Sequence, residues 1–530
     1  MEKNILSNYK SILYCTQSNS LDLFNDFHNE ISKKINFQNS SFIVADLKNY
    51  TDWIKNNQEF EDNNFLIKEW EITSKKFNET DVTKLKYYEE KLGVNPGIFG
   101  AIIADRRLLM GRNSSITQDY NRRFTDRELM SILLHALEKI EVLFEEKEPD
   151  ILVGFISVTF LDYLAYLFAR SKEIKILNLR PTRISDRVIF SNTLNDPDEK
   201  LASKFEEILN GRVSNFNDEA ENYLKIVKST NSLYEGVVSV SDKPALTSSF
   251  RKLFNPSKLY KFASNLFHYY IKGIYKDNHV VNPVINFIYA SLINPMKARI
   301  VSIYLKNKYV VDNLGSEDYV FFPLHTEPEV SLLVYGRPFV NQIEVIRMIA
   351  LSMPIGKTLY VKEHPWMVGK RSLSAYKKIL NIPRVKLVSP SIESRKIVQN
   401  SQLVAVITGS IALEAAFVGK PVITFGDCPY NLLPNSSVTR VQDIRNLEQI
   451  INKSISGYKY DKKILISYIA ANYEISESIN LYSSLLRKKN VHQERTNNYS
   501  IEINNLVNYA IKNLKDEDSI NVVSKDVAAW

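Results

Sequence analysis

The sequence predicts an α/β protein with two doubly wound domains that face a cleft, joined by a helical linker and followed by C-terminal helices. Short apolar runs alternate with amphipathic segments in both halves of the chain. With 530 residues, the chain is too long for one compact core. The stretch 404–426 has the pattern of strand, tight turn, helix, turn and strand, from which parallel sheets are built.

The first predicted domain covers residues 1–240. Its predicted strands are SILYCT (11–16), SFIVAD (41–46), FLIKEWEI (65–72), GAIIAD (100–105), ILVGFISV (151–158) and IKILNL (174–179). The remaining predicted units are a basic, aromatic-rich helical segment (241–315), the second α/β domain (316–445), and the C-terminal helices and tail (446–530). Alternation of strands and helices favours parallel sheets that are covered on both faces.

The composition is that of a soluble globular protein, with 44% hydrophobic and 24% charged residues. Cys15 and Cys428 are far apart in the sequence, so neither a disulfide framework nor a cysteine metal site is expected. The first fifteen residues lack an uninterrupted apolar run, and the longest uncharged stretch, 278–296, contains two prolines. We therefore expect no signal peptide, no membrane span, and a cytoplasmic location.

Residues 251–310 carry ten Lys or Arg against one acid, Asp277, in a protein whose net charge is +8. Eleven aromatic residues are interleaved with these cations, including Phe254, Tyr260 and Tyr275. Such a segment suits an anionic membrane surface, where rings enter the interface and cations meet phosphates. Nucleic acid is the competing partner, which we do not expect, and core aromatics beneath a solvated lysine face are the structural alternative.

The turn Thr408-Gly409-Ser410 follows the first strand of the 404–426 unit. A helix N-terminus at the carboxyl end of a parallel strand offers unpaired N–H groups and a positive dipole end to an anion. Ser410 is a natural N-cap, and Glu414 faces the same way one turn later, where ribose hydroxyls would find an acceptor. The alternative is that Ser410 only caps the helix and that Glu414 is a solvated helix residue.

Polar residues also follow the earlier strands of the second domain. His325 and Glu327 follow the first strand, and His364 and Pro365 follow the second. Because open α/β sheets bind ligands beyond the carboxyl ends of their strands, these residues and the turn at Ser410 should line one crevice. We expect His364 to donate to a phosphate oxygen, and His325 to serve the leaving phosphate or a sugar hydroxyl.

The first domain offers one carboxylate and three guanidinium groups as candidates. Asp105 ends the predicted strand GAIIAD and precedes a long polar loop of the kind that binds substrates, although a structural ion pair is equally compatible. Arg180, Arg183 and Arg187 follow another strand and would suit a carboxylate or phosphate ligand. Salt bridges to acids such as Asp186 are the alternative.

The sequence VKEHP, with TGSIALEAAFVGKPVITFG about forty residues later, resembles the donor-nucleotide domain of GT-B glycosyltransferases. The resemblance is to the bacterial capsular polysaccharide synthesis group, which includes Kdo-transferring and polysialic-acid-type enzymes. The segment PLHTEPEVS is also similar to that group. The resemblance is good over 318–430 and weak over the N-terminal half. It implies two Rossmann-like domains, with the acceptor mostly on the first and the donor on the second.

The resemblance implies a nucleotide site and its residues. Those it implicates are His364, Pro365, Thr408, Gly409, Ser410 and, at the ribose position, Glu414. No D-x-D motif falls in either predicted site, so metal-independent transfer is expected. The helix N-terminus, His364, Lys362 or an arginine would then neutralise the leaving group. Asp105 is our first candidate for base or nucleophile, with Glu327 and Asp186 as alternatives.

These expectations describe a glycosyltransferase that moves a sugar from a nucleotide-sugar donor to a surface polysaccharide or glycolipid. Kdo or another 2-keto acid sugar on a CMP donor is the candidate donor, and no further cofactor is expected. Alternatives of the same fold are a nucleotide-sugar 2-epimerase and a glycerol-phosphate transferase. A scaffold subunit of a capsule assembly complex is the non-enzymatic alternative, but a scaffold has no need for polar residues at its strand ends.

Overall fold

The structure is a computed structural model, and it describes a large part of the chain. The described residues are 6–17, 20–73, 81–94, 97–111, 113–114, 117–155, 159–194, 196–230, 233, 256–271, 282–310, 314, 317–368, 370–486 and 497–515. The predicted domain boundary near residue 240 and the tail from residue 516 lie outside these ranges. So do Phe254 and Tyr275 of the predicted basic segment.

The described residues form strands and helices in alternation. The strands are β1 (Ser11–Thr16), β2 (Asn39–Val44), β3 (Phe65–Lys68), β4 (Ile151–Gly154), β5 (Lys175–Pro181), β6 (Arg187–Ser191), β7 (Tyr309–Val310), β8 (Tyr319–Pro323), β9 (Thr358–Lys362), β10 (Val385–Val388), β11 (Leu403–Val406), β12 (Val422–Thr424), β13 (Val438–Arg440) and β14 (Glu477–Ser478). The helices that precede β7 are α1 (Ser20–Ile31), α2 (Leu47–Ile54), α3 (Phe60–Asn63), α4 (Glu69–Thr73), α5 (Val82–Lys91), α6 (Gly100–Ala104), α7 (Arg106–Leu109), α8 (Asp126–Glu146), α9 (Phe160–Ser171), α10 (Glu199–Leu209), α11 (Asn217–Ser229), α12 (Pro256–Leu266), α13 (Pro283–Ile288) and α14 (Asn294–Leu305). Those that follow it are α15 (Val330–Leu333), α16 (Gln342–Ser352), α17 (Leu373–Leu380), α18 (Ser394–Asn400), α19 (Ile411–Val418), α20 (Leu447–Ser456), α21 (Lys462–Ile475) and α22 (Asn497–Lys515).

The strands form two seven-stranded sheets, and this confirms the predicted two-domain Rossmann-like α/β fold. The first sheet has the order β14-β6-β5-β4-β1-β2-β3, in which β6 runs antiparallel to both of its neighbours, β5 and β14, and the other neighbouring strands pair in parallel. We call this sheet and its helices the first lobe. The second sheet, β13-β12-β11-β8-β9-β10-β7, has parallel pairing throughout and defines the second lobe.

The first sheet is covered by helices on both faces. Tyr14 and Phe42 point to the face covered by α1 and α22, whereas Leu13 and Ile43 point to the face covered by α8 and α9. Successive strand residues face opposite sides, so both sides of β1 and β2 must be apolar. Thr125 caps the long helix α8 in a capping box with Glu128.

The second sheet is also buried between two helical layers. Helices α14, α16, α17 and α20 pack on one face around Val320 and Phe322. The other face, around Tyr319 and Phe321, is covered by α18, α19, α10, α11 and α21. Helices α10 and α11 fall within the predicted first domain, yet they pack against the second sheet. The apolar pattern of a helix shows that one face is buried, but not which sheet covers it.

The chain crosses between the lobes more than once. After α21, residues 477–478 pair with β6, and α22 packs against α1, so the C-terminal part returns to the first sheet. The lobes also meet directly where Ala104 packs with Val334 and Tyr335. In the described parts of the chain, none of the helices is both long enough and apolar enough to cross a membrane.

Two predicted strands differ in the structure: the predicted strand 65–72 ends at Lys68 and continues as α4, and the predicted strand 100–105 is absent. Residues 100–104 of the run GAIIAD form the short helix α6 outside both sheets. A run of this length does not distinguish a buried strand from a buried helix by periodicity. Here Gly100 lies against the guanidinium of Arg337 from the second lobe, where a Cβ would come within 2.9 Å of Nη1. The segment is therefore part of the contact between the lobes.

Candidate functional site

A cavity of about 400 Å³ lies beyond the carboxyl ends of β8, β9 and β11. The second sheet changes winding direction at β8, because β9 lies on one side of it and β11 on the other. Ligands of open α/β sheets bind at such a switch point. The structure brings eight of the thirteen predicted site residues to the cavity wall: Arg183, His325, Lys362, His364, Pro365, Thr408, Gly409 and Ser410.

The turn between β11 and α19 is held by contacts on three sides. The Thr408 hydroxyl donates to the carbonyl of Ser331 at 2.8 Å, and the buried Tyr430 hydroxyl donates to the carbonyl of Gly409 at 2.6 Å. Gly426 lies beside this turn, where a Cβ would come within 2.5 Å of the Thr408 side chain. The turn is therefore fixed before any ligand binds.

The end of α19 that faces the cavity has the features of an anion site. The first turn of a helix carries its positive dipole end, although in α19 the N–H groups of Ala412 and Leu413 already donate to the carbonyls of Gly409 and Ser410 at 3.2 and 3.0 Å. Ser410 stands at the N-cap position, but its hydroxyl makes no capping hydrogen bond, contrary to the expected side-chain cap. Ser410 and the start of the helix both line the cavity, which is where a phosphate would bind.

His325 is held as a neutral ring. The Thr408 N–H donates to Nε2 at 3.4 Å, so the ring proton belongs on Nδ1. Burial lowers the pKa of His325 to about 3, and the positive charges of Arg183 and Arg371, with that of His364 when it is protonated, lower it further. A ring with this pKa is a hydrogen-bond donor through Nδ1 at neutral pH and a weak proton acceptor.

His364 is a neutral donor of the opposite tautomer. Its Nδ1 accepts from the N–H of Trp366 at 3.3 Å, which places the ring proton on Nε2. Burial lowers the pKa of His364, opposed by the nearby Glu363 and Glu329 carboxylates. An Nε2–H group on the cavity wall can donate to a phosphate oxygen without carrying a full charge.

Two cations line the same cavity from different lobes. The Lys362 ammonium, on a side chain that is largely buried, donates to the Ser394 hydroxyl at 2.8 Å. Arg183 comes from the first lobe, and its Nη1 lies 3.4 Å from the carbonyl of Thr408. Cations at fixed positions in a partly enclosed site attract phosphate or carboxylate more strongly than cations in open water do.

Glu414 lies one helical turn beyond the anion site and does not line the cavity. Burial raises its pKa to about 7, with Glu393 raising it further and Arg395 and Lys362 lowering it. The carboxyl group is therefore partly protonated at neutral pH. The structure does not bring Glu414 to the cavity wall, and its role toward a ribose stays a prediction.

Arg371 is the residue that the sequence did not reveal. Its side chain is 1% exposed, and it binds Glu363 at 2.5 Å and Glu327 at 2.9 Å. Arg371 Nη2 also donates to the carbonyl of His325 at 3.1 Å. Glu363 in turn accepts from the backbone N–H of His364 at 2.7 Å. No motif marks Arg371, because tertiary packing alone brings it to the two strand ends.

Glu327, predicted as catalytic, is part of this network and does not line the cavity. Its carboxylate accepts from Arg371, from Gln342 at 2.9 Å, and from the hydroxyl of Tyr120. A carboxylate with this many donors is poorly placed to take a proton. Glu329, two residues later, lines the cavity and is exposed, and it accepts from the hydroxyls of Thr326 and Ser331.

Asp105, our first candidate for base or nucleophile, lies away from the cavity. The side chain is fully buried and accepts from Arg107 Nε at 2.7 Å and from the N–H of Phe160 at 3.2 Å. Arg107 also pairs with the buried Glu69. The structural ion pair, which the sequence left as an alternative, is what the geometry shows. Asp105 fixes the start of α7 and of α9.

The three arginines do not converge on one ligand. Arg180 is buried and pairs with Asp196 at 2.6 Å, and Arg187 binds Ser476, which anchors the returning C-terminal segment. Asp186 does not line the cavity. Only Arg183 among the three reaches the cavity, since it extends from a left-handed backbone position with φ of 63°. Residues close together in sequence at a strand end can point in different directions.

No group of three or more His, Cys, Asp or Glu side chains in the described ranges is placed to hold a metal ion. Apart from the carboxylates of Glu329 and Glu363, the cavity is lined by a helix N-terminus, a serine, two histidines, a lysine and an arginine. These groups bind anions, and they stabilise negative charge that develops on a phosphate. The fold and the site together define a doubly wound α/β protein with a cavity at the strand ends of its second lobe, lined by groups of the kind that bind anions.

Comparison with known proteins supports the resemblance described above. Residues 260–458 match the family model of capsule polysaccharide biosynthesis proteins. This match confirms the resemblance to the capsular polysaccharide synthesis group, over a range that contains β8 to β13 and all the cavity residues except Arg183. No curated protein sequence matches the chain.

Solved structures with related folds have low identity. KpsC of Thermosulfurimonas dismutans, a beta Kdo 2,4 transferase, is 13% identical with a TM-score of 0.35, covering 68% of this chain and 87% of that chain. The beta Kdo 2,7 transferase of the same KpsC is 11% identical with a TM-score of 0.30, covering 70% and 89%. A glycosyltransferase from Rickettsia africae ESF-5 is 11% identical with a TM-score of 0.26, covering 98% and 100%.

Proposed function

We propose that this protein is a glycosyltransferase, which moves a sugar from a nucleotide-sugar donor to a surface polysaccharide or glycolipid acceptor. The single observation that carries the proposal is the anion-binding cavity at the N-terminus of α19. Ser410, His364 and Lys362 all line it. The family match over residues 260–458 supports the same conclusion.

The donor phosphate binds at the helix end in this proposal. When the bond from the sugar to the phosphate breaks, negative charge develops on the departing phosphate oxygen. Lys362, His364 Nε2–H and the dipole of α19 stabilise that charge because they are already fixed in place. Glu414 accepts from the ribose hydroxyls one turn along the helix. His325 contributes a second neutral donor through Nδ1.

Glu329 is the proposed general base in place of Asp105. Two carboxylates line the cavity, Glu329 and Glu363, and both oxygens of Glu363 are already bound by buried donors. The exposed Glu329 carboxylate takes the proton of the acceptor hydroxyl as that oxygen attacks the anomeric carbon. Its hydrogen bonds to Thr326 and Ser331 orient it toward the cleft.

The proposed donor is a CMP-linked 2-keto acid sugar such as Kdo. Arg183 supports this choice, because it brings a guanidinium from the first lobe to the cavity, where a sugar carboxylate would find a partner. We further propose that transfer needs no metal, since side-chain cations supply the positive charge. Activity that survives dialysis against EDTA would support this part, and activity restored only by Mg²⁺ or Mn²⁺ would contradict it.

The proposal includes peripheral binding of the protein to the inner face of a membrane. An exposed aliphatic stripe runs along α13, the π-helical turn Tyr289–Ile293 and α14 at intervals of three or four residues: Val284, Ile288, Leu292, Met296, Ile300 and Ile303. Arg299, Lys306 and Lys308 lie on the same element or directly after it. An apolar stripe beside cations suits peripheral contact with anionic lipid, and it does not suit nucleic acid.

The test is a thermal-shift panel of CMP, UMP, CDP, UDP and GDP on the purified protein, because a ligand that binds only the folded state raises its apparent stability. We expect one nucleotide to raise the melting temperature, and the shift to disappear in Ser410→Ala. Ser391→Ala, an exposed serine outside the cavity, is the matched control. A panel without any shift would contradict the donor site, and a shift with UDP alone would favour an epimerase.

A further inference from the structure

The main chain at both cavity histidines is held by one buried arginine. Arg371 Nη2 donates to the carbonyl of His325 at 3.1 Å. Arg371 Nε donates to Glu363 at 2.5 Å, and the other oxygen of Glu363 accepts the N–H of His364 at 2.7 Å. The ends of β8 and β9 are therefore joined through a single ion-pair network.

This network continues into the first lobe through Glu327. The Tyr120 hydroxyl donates to one oxygen of Glu327, while Arg371 Nη1 binds the other at 2.9 Å. Gln118 Nε2 lies 3.3 Å from the same carboxylate, and Gln118 Oε1 accepts the N–H of Ser372 at 3.3 Å. One loop of the first lobe thus contacts both the carboxylate and the residue after Arg371.

We propose that Tyr120 is a positioning residue of the donor site, although it lies in the other lobe and does not line the cavity. It acts through Glu327 and Arg371, which hold the main chain at the two histidines. The donor role of the site rests on the proposed function, whereas the positioning itself does not. Donor binding and the engagement of the two lobes are then one event.

The burial of the network explains why a distant hydroxyl matters. The side chains of Arg371 and Glu363 are 1% exposed, and that of Glu327 is 8% exposed. Buried charges interact strongly over short distances. The position of each carboxylate in the network therefore depends on all the donors that bind its oxygens, and the Tyr120 hydroxyl is one of these donors for Glu327. Tyr120 itself is 54% exposed, so loss of its hydroxyl opens no cavity in a core.

The experiment compares Tyr120→Phe with Tyr87→Phe, an exposed tyrosine of the first lobe that lies away from the cavity. Histidine Cε1–Hε1 resonances are recorded on the full chain without ligand. Seven histidines give a simple spectrum, and single His→Gln substitutions assign the signals of His325 and His364. We expect Tyr120→Phe to move both signals at an unchanged melting temperature, and Tyr87→Phe to move neither.

A double-mutant cycle identifies the route. If Tyr120 acts through Glu327, then Tyr120→Phe has no further effect on either histidine signal in a Glu327→Ala background, in which residue 327 has no side-chain acceptor for the tyrosine hydroxyl. Shifts that add would mean that Tyr120 acts by another path, and unchanged signals in the single variant would overturn the proposal. This cycle avoids substituting Arg371, whose loss would leave two buried carboxylates unpaired.

Nucleotide affinity separates this inference from the proposed function. With the nucleotide that shifts the wild-type melting temperature, Tyr120→Phe should bind about fivefold more weakly, which corresponds to the net contribution of one ordinary hydrogen bond. Equal affinity in Tyr120→Phe and Tyr87→Phe would contradict positioning of the donor. A wild-type protein that binds no nucleotide refutes the donor site, while the histidine signals still decide whether Tyr120 positions them.

Discussion

Arg183 of the first lobe donates to the backbone carbonyl of Thr408 in the second lobe, with 3.4 Å between Nη1 and the oxygen. Thr408 is the first residue of the turn that leads into α19, so a first-lobe cation stands next to the proposed phosphate position. The cavity is lined mainly by the second lobe but completed by the first. A donor held there would contact both lobes at once.

Loss of Arg180 should lower the stability of the protein, whereas loss of Arg183 should lower its affinity for the nucleotide-sugar. Arg180→Ala leaves the buried Asp196 without its partner and should lower the stability by about 3 to 5 kcal/mol. Arg183→Ala should change the melting temperature little and weaken nucleotide-sugar binding at least tenfold. Thermal denaturation and calorimetric titration of both variants measure this contrast. Equal loss of affinity in both, at unchanged stability, would contradict it.

His364 has two separable roles. Its Nδ1 caps the turn at residues 365–367, and its Nε2–H faces the cavity. His364→Asn keeps a capping acceptor, so its stability should match the wild type, whereas His364→Ala should lose about 1 kcal/mol. Both variants should lose nucleotide affinity at least tenfold, as titration calorimetry would show. Full affinity in His364→Asn would mean that the ring only caps the turn.

Glu414 should make the stability depend on pH. Its pKa is raised to about 7 in the folded protein, from an ordinary value near 4.5. Between these values the unfolded chain has lost the proton and the folded protein keeps it, so stability falls as the pH rises through this window. Glu414→Gln lacks this titration. The difference between the melting temperature of the variant and that of the wild type should therefore become more positive as the pH rises from 4.5 to 7.

The control for this effect is Glu448→Gln, an exposed glutamate on α20. Its melting temperature should keep a constant offset from the wild type over the same pH range. A constant offset for Glu414→Gln as well would show that the carboxyl group is ionised throughout, and that the polar surroundings of α19 compensate for its burial.

Membrane contact should depend on the cations near the aliphatic stripe. Reversing Arg299 and Lys306 to Glu should release the protein from vesicles that contain anionic lipid, since each cation near such a surface contributes about 1 kcal/mol. Lys396→Glu with Lys453→Glu gives the same change of net charge on the second lobe and should leave binding unchanged. Equal sedimentation of both double variants with vesicles would argue against the basic helices as the contact.

The sequence predicts those parts of the cavity that are formed by segments continuous in the chain. The unit around Ser410 is continuous in sequence, and β8, β9 and β11 are buried on both faces, so their apolar runs identify them. The rule for parallel sheets then brings His325 and His364 to the same edge. These residues line one cavity in the structure.

The remaining parts depend on packing between distant segments. Asp105 follows an apolar run that forms a helix, because that run packs between the lobes and not into a sheet. Arg180 and Arg183 are three residues apart, but only their backbone geometry decides which one meets Asp196. Arg371 has no local signal at all, since Glu327 and Glu363 become its partners only after both strands have entered the sheet.

The return of the C-terminal segment to the first sheet sets the order in which the lobes can be completed during synthesis. When β6 leaves the ribosome, its outer edge is open and one face of α1 is uncovered, because β14 and α22 have not yet been made. The second lobe is translated before that edge is closed. The lobe that begins first is therefore finished last, and a chain that stops after α21 would contain a complete second lobe beside a first lobe with an exposed strand.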